Sequence, residues 1–298
     1  MRLGLHLVQK VGLDVPMIKI SRNKFLRDAI FKYGWHHEGY NEAKWGYDYL
    51  RSKMSESGRH ICFRDKSILE IGAGNSIGLG YFFFNEGYRS WTASDVGRSP
   101  NETPRVARLE YQFAKRMAQE YGGDILEFVS FEDNKIHFRD KIIFRTIDIT
   151  QHDVQLENKF DFIISTAVLE HVPREEMDRS IGNMARYLRD GGIMVHAIDL
   201  KDHVNPLNPF GFYKYDEEEW EKLTKGTIFY TNRLRTKDYL DLFEKNNLSV
   251  VYCERYKPLR LPDSIDSHFK QNYTDEDLQA GEVFLISQHE MGLTCPTE

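Results

Sequence analysis

Cysteine is scarce in this 298-residue chain: Cys62, Cys253 and Cys295 are odd in number, far apart and without a CxxC pair. That excludes a disulfide framework and a cysteine-built zinc centre, and it suits a reducing compartment. Excess positive charge is missing too. The 40 Lys and Arg against 46 Asp and Glu leave a net charge of -6, so no global basic field draws in nucleic acid or anionic lipid. No stretch approaches the ~20 apolar residues of a membrane span. The opening MRLGLHLVQKVGLDVPMIKI is interrupted by His6, Gln9, Lys10 and Asp14 and has no clean signal-peptide core, so a cytoplasmic protein without integral membrane association is expected. Internal repeats and low-complexity segments are absent as well.

What is present is a folding composition. With 41% hydrophobic and 13% aromatic residues the chain is too apolar for disorder, and it is long enough to bury roughly three quarters of its unfolded surface. From residue 66 onward, short β-branched runs alternate with helical periodicity, the pattern of a parallel sheet built from βαβ units. The expected strands are SILEIGAG, WTASDV, IIFRTIDI, FDFIISTAV, GIMVHAIDL, LSVVYCERY and EVFLISQ, seven in all. Between the fourth and fifth, Pro173 opens a helix carrying Met177, Ile181, Met184 and Leu188, which Gly191 and Gly192 should end. Residues 1–60 read as a helical cap on the strand ends, ahead of a main domain over 61–298. Within that domain the two NP steps and dense aromatics of residues 201–235 read as an insertion on the substrate side. Asp216–Glu219 fits a helix N-terminus, and Thr236 an N-cap.

In an open α/β sheet, ligands bind beyond the carboxyl ends of the strands at the switch point of the strand order, so polar residues there are the candidates. Gly72 and Gly74 follow the first strand, where a missing side chain lets a ligand approach the backbone. A GxGxxG dinucleotide fingerprint would need glycine at position 77, but Ile77 stands there, which disfavours NAD. Glu70 would repel a pyrophosphate and attract an ammonium. Asp95 ends the second strand about 20 residues beyond Gly74, the placement of a carboxylate that accepts ribose hydroxyls. Asp148 ends the third, either to accept from an adenine amine beside Ile147 or Ile149, or as a solvated loop residue.

The fourth strand end reads ISTAVLEHVP. ExGxG at the first strand, acids after the second and third, and LEHV after the fourth, in that order, resemble the class I S-adenosylmethionine-dependent methyltransferases, over about residues 60–200 and more loosely to 290. The chain also looks like bacterial small-molecule and surface-glycan members of that superfamily. The resemblance implies a Rossmann-like seven-stranded sheet with helices on both faces and the last strand antiparallel, and S-adenosylmethionine as cofactor. It places Glu70, Gly72 and Gly74, with Asn75, around the methionine portion, Asp95 with Val96 at the ribose, and Asp148 with Ile149 at the adenine. Thr166 would contact the cofactor through its backbone, Leu169 and Val172 would pack, and Glu170 and His171 would be structural or face the acceptor.

Methyl transfer to a hydroxyl benefits from a base, whereas an amine needs only its lone pair. His203, beside Asp202 after the fifth strand, is the first candidate; His171 and His196 follow. Arg233 and Arg235 could clamp an acceptor phosphate or carboxylate, with surface ion pairing as the alternative. Phe210, Phe212, Tyr213, Tyr215 and Trp220 could stack on a sugar or form the small core of a lid. Trp45 and Tyr47 could cover the cofactor or pack on the sheet edge. His36 and His37 cannot easily share a helix face and lack companion ligands, so no metal is assigned. The expected activity is O-methylation of a small hydroxylated acceptor, a saccharide or nucleotide-linked sugar. The alternatives are another small molecule, RNA, a non-catalytic cofactor-binding regulator, or an NAD-dependent reductase. No NPPY-type tetrapeptide follows the fourth strand, which argues against DNA base methylation. A homo-oligomer is compatible with the sequence.

Overall fold

The computed structural model describes residues 39–289, apart from 206, 207, 228, 257 and 258. Of the N-terminal cap, helix α1 (Gly39–Glu56) is therefore described, and the expectation for residues 1–38 lies outside the described residues. α1 buries Tyr40, Gly46, Leu50 and Met54 on one stripe and keeps its charged residues outward, as an amphipathic helix must.

The sheet strands are β1 (Ser67–Ile71), β2 (Ser90–Asp95), β5 (Ile142–Thr146), β6 (Phe160–Thr166), β7 (Leu188–Asp199), β8 (Leu248–Tyr256) and β9 (Glu282–His289). They lie in the order β5-β2-β1-β6-β7-β9-β8, parallel except for β9, which runs antiparallel to both of its neighbours. All five residues of β1 are buried, because helices cover both faces. Its side chains alternate: Ile68 joins the core of Trp91, Ala93 and Ile164, while Leu69 and Ile71 join that of Ile163, Met184 and Leu285. The strand order reverses between β1 and β6, and the crevice at their carboxyl ends is the switch point.

Helices α2 (Gly78–Phe82) and α3 (Pro104–Tyr121) cover the first half of the sheet, α5 (Met177–Tyr187) and α7 (Thr236–Lys245) the second. α3 starts where it does because Thr103 accepts from the Val106 amide at 3.2 Å and Pro104 stands at the first turn. After it, the short helix α4 (Ile125–Phe128) leads into an unforeseen hairpin, β3 (Val129–Glu132) and β4 (Lys135–Phe138), turned by Asp133 and Asn134 at φ 50° and 60°. A second departure concerns α5, which ends at Tyr187 and not at Gly191 and Gly192. β7 begins at once with Leu188, and Gly191 at φ +71° lies inside the strand beside a register shift between β6 and β7.

The segment after β7 forms a satellite of its own, with α6 (Glu217–Thr224), α8 (Ser267–Asn272) and α9 (Asp275–Gln279). Phe210, Phe212, Tyr213, Trp220, Phe269 and Leu278 make its core. Asp216 caps α6 in a reciprocal capping box with Glu219, so the acidic run is a helix start. At α7 the cap is Arg235, one residue before the expected Thr236. Among the described residues, no helix is long and apolar enough to cross a membrane.

Candidate functional site

Two cavities adjoin at the switch point. The first, about 920 Å³, is walled by the turn after β1 (Gly72, Gly74, Asn75), by Glu70 beneath it, by Thr166 at the end of β6, and by Asn41, Glu42 and Trp45 of α1. The turn needs its glycines. Gly72 and Gly74 have φ +74° and +68°, and a Cβ on Gly72 would come within 2.3 Å of Val168 Cγ2. At Gly74 a Cβ would meet nothing within 4 Å, so the backbone is open on that side. The turn is anchored from two directions: Ala73 N donates to Ser94 O at 2.9 Å, and Gly74 N to Asp95 Oδ2 at 3.1 Å.

Glu70 is fully buried and one of its oxygens accepts from the Trp91 indole at 2.7 Å. Burial pushes its carboxyl up to about 8 against the Trp91 bond, and nearby Glu110 adds to the rise. Glu110, also buried, accepts from Ile77 N at 2.9 Å and so fixes the entry to α2. The Thr166 hydroxyl is buried without a hydrogen-bond partner.

The second cavity, about 970 Å³, shares Gly72, Gly74, Arg98 and Ala167 with the first. Among its other walls are Asp95 after β2, His171 and Pro173 after β6, Asp199, Lys201, Asp202 and His203 after β7, and Lys225, Gly226, Thr227, Phe229 and Tyr230. The His171 and His203 rings lie 4.9 Å apart. His171 Nδ1 is 2.9 Å from the Tyr230 carbonyl, so that nitrogen carries the hydrogen and donates. Burial and the neighbouring His203 push the His171 imidazole down, against the Tyr230 bond. His203 Nε2 sits 3.6 Å from Asp199 Oδ2. Burial alone would raise Asp199, but the bond to His203 and the charge of Lys201, 2.8 Å away, outweigh it and hold the carboxyl at about 2. Glu170 is 2% exposed and neither of its carboxylate oxygens has a partner at hydrogen-bond geometry; burial drives its carboxyl far above the ordinary range, against the weaker pull of the Glu170 and Asp199 backbone.

The structure thus brings Glu70, Gly72, Gly74, Asn75 and Thr166 around one cavity and Asp95, Asp202, His171 and His203 around the next. Asp95 spends part of its acceptor capacity on the backbone: Oδ1 accepts from Gly97 N and Arg98 N, both at 2.8 Å. Val96 is exposed beside it. Asp148 and Ile149 line neither cavity; Asp148 accepts from Thr150 N and Oγ1, an Asx-type turn, and Ile149 packs in the core.

Three expectations need correction. The acid against His203 is Asp199, four residues earlier, because Asp202 Oδ1 accepts from Val204 N at 2.7 Å and shapes the loop. Tyr213 does not face an acceptor: it is fully buried, stacked on Phe210, with its hydroxyl donating to Leu278 O. Arg233 is 3% exposed and pins the satellite, donating to Phe212 O, Tyr215 O and Glu217 Oε2. Arg235 does the same for the Leu200, Asp277, Leu278 and Ala280 carbonyls, so the aromatic and arginine signals report packing. His196 is buried too, bonded to Ser165, and its imidazole is pushed down to about 3 by that burial. Trp45 lines the first cavity, whereas Tyr47 packs against Phe82 and Phe83. Sequence reasoning passed over Asp199, Lys201 and Arg98; their position at a strand end or within three residues beyond it was the available signal.

Among solved structures, the chain is similar to phosphoethanolamine N-methyltransferase 2 from Haemonchus contortus in complex with S-adenosyl-L-methionine (12% identity, 88% of this chain and 59% of that one, TM-score 0.51). It also resembles a putative sarcosine dimethylglycine methyltransferase from Galdieria sulphuraria (13%, 82% and 84%, TM-score 0.48) and the CurJ carbon methyltransferase (14%, 82% and 54%, TM-score 0.45). The chain spans little more than half the length of the first and third, and at such identities the likeness describes the fold. No curated protein matches it. A sequence profile described as the methyltransferase domain matches residues 35–252, from just before α1 into β8 and across both cavities: the chain belongs to the methyltransferase domain family.

Proposed function

We propose that the chain is an S-adenosylmethionine-dependent methyltransferase that methylates a hydroxyl of a small acceptor, with the cofactor in the first cavity and the acceptor in the second. The observation that carries this reading is the shared wall of Gly72, Gly74, Arg98 and Ala167, with the His203–Asp199 pair on the far side of it.

The first cavity fits the cofactor in its donor set. A backbone turn that only glycine can make leaves room for an extended ligand, and Glu42 and Glu70 offer carboxylates to a cationic one. Glu70 and the Gly72–Asn75 turn would hold the methionine portion in the first cavity, the backbone around Thr166 the centre, and Asp95, which lines the second cavity, the ribose where the cofactor passes the shared wall. When bound, S-adenosylmethionine supplies a methyl group on a cationic sulfur, open to in-line displacement. The residues of this chain then position and deprotonate the acceptor. His203 would take the proton that the hydroxyl loses as its oxygen displaces the sulfur from the methyl carbon, with Asp199 orienting the ring and stabilising the imidazolium. Bringing the partners together in a pocket that excludes water supplies much of the rest of the acceleration.

A saccharide or nucleotide-linked sugar is the acceptor class we place first. Its support is the polar wall of Asp199, Lys201, Asp202 and His203 and a cavity of about 970 Å³; Phe210, Phe212, Tyr213 and Trp220 are buried in the satellite core and Tyr215 packs against it. The test is a transfer assay with labelled cofactor against saccharides, sugar nucleotides, quinols, amines and RNA. Transfer to hydroxylated small molecules, lost in His203→Asn, is expected; transfer only to an amine, untouched by that variant, would overturn the acceptor assignment.

A further inference from the structure

Glu170 poses a problem that methyl transfer does not answer. A carboxyl 2% exposed, with both oxygens lacking a hydrogen-bond partner, is costly unless something else satisfies it. Beside it stand two imidazoles. Among the described residues, Glu170, His171 and His203 form a group whose ligand-capable atoms all lie within 4.8 Å of one another. Both rings are held from behind: His171 by the Tyr230 carbonyl at Nδ1, which leaves Nε2 as an acceptor, and His203 by Asp199. Such outer partners are what orients ligand imidazoles in metal sites.

We propose that Glu170, His171 and His203 bind a divalent first-row transition metal at the floor of the second cavity. Two imidazoles and one carboxylate suit zinc, iron(II), cobalt(II) or manganese(II), whereas magnesium and calcium prefer all-oxygen sets. Metal–ligand bonds of about 2.1 Å place ligand atoms roughly 3.0–3.5 Å apart, so from separations of at most 4.8 Å binding draws the side chains together by no more than about 2 Å. Three protein ligands leave coordination positions open, and His171 and His203 line the cavity, so those positions face its interior. There the cation holds an acceptor oxygen and lowers the pKa of its hydroxyl, whose proton is lost to bulk solvent on binding, before methyl transfer, because His203 is then a ligand and no longer the base. That role rests on the acceptor reading given above; the binding itself does not. The site eluded the sequence because Glu170 and His171 follow β6 while His203 follows β7, and only the pairing of those two strands brings them together.

The test is a cobalt(II) titration of the untagged, chelator-treated full chain, read by visible absorption, with S-adenosylhomocysteine affinity measured in parallel. One cobalt per chain with visible d–d bands, displaced by zinc and weakened at least ~10-fold in Glu170→Gln and in His203→Ala, is expected. His203 lies on the cavity wall, so its variant keeps the core closed, and retained S-adenosylhomocysteine binding verifies the fold of both. Cobalt binding that is absent, or equal in wild type and both variants, overturns the metal site. If cobalt behaves as expected while S-adenosylhomocysteine does not bind wild type, the metal site stands and the cofactor reading falls.

Discussion

Glu70 should make the stability of the ligand-free protein fall as pH rises. Its carboxyl sits at about 8 in the folded chain against an ordinary 4.5, so the folded state keeps a proton that the unfolded state releases. The stabilisation is fully present below pH 4.5 and is lost as pH climbs toward 8, after which the curve is flat. One proton corresponds to about 1.4 kcal/mol per pH unit, so roughly 4 kcal/mol disappears between pH 5 and pH 8. Glu70→Gln removes that slope, because the amide is neutral throughout and its oxygen still accepts from Trp91. Glu110 and Glu170 carry raised carboxyls of the same sign in both proteins, so the difference between wild type and variant isolates Glu70. Urea unfolding at pH 5, 6, 7 and 8 measures it. The variant should be the less pH-sensitive, by about 1.4 kcal/mol per unit within that window. Parallel pH dependences would refute the claim that Glu70 is held neutral by burial.

Ionising Glu70 to meet an ammonium gives the cofactor a matching pH dependence: S-adenosylhomocysteine affinity by calorimetry should rise up to about tenfold per unit toward pH 8 in wild type and stay flat in Glu70→Gln. Gly72→Ala, forced into φ +74° against Val168, should cost about 3 kcal/mol in chemical denaturation, and Val168→Ala should restore much of it. His203→Asn should lower kcat toward a hydroxylated acceptor by about 10²–10⁴ while S-adenosylhomocysteine affinity holds within twofold. Arg233→Ala should destabilise by about 2–4 kcal/mol and expose the satellite to limited proteolysis without changing cofactor affinity; a loss confined to acceptor KM would instead make Arg233 a substrate ligand.

The sheet was legible because its signal is local and repeated. Most of the seven strands carry β-branched residues in short runs, and β1 is buried on both faces, so no alternation had to be resolved there. The β3–β4 hairpin escaped notice because its strands are four residues each and mix charged with apolar positions. Gly191 misled in the opposite way: glycine after a helical run suggests a cap, but a glycine at positive φ serves a strand irregularity equally well. In the site, the glycines after β1 and Asp95 at the end of β2 could be picked out because topology carries strand ends to the crevice, whereas Asp148, just beyond β5, lines neither cavity. Asp199 could not be preferred over Asp202, since the choice depends on how the chain turns after β7. Tyr213 and Arg233 illustrate a further limit: a satellite core needs aromatic surface and buried guanidinium donors, and the same residue types would line a sugar site.

The most direct test of two adjoining cavities serving cofactor and acceptor is the thermal stability of the full chain with S-adenosylmethionine, S-adenosylhomocysteine and NAD in parallel. A ligand at about 100 times its dissociation constant stabilises by about 2.7 kcal/mol. Stabilisation by both adenosyl compounds, abolished in Gly74→Val, whose side chain would enter the open face of the turn, is the predicted result. Stabilisation by NAD alone, or by the adenosyl compounds equally in wild type and Gly74→Val, would contradict it.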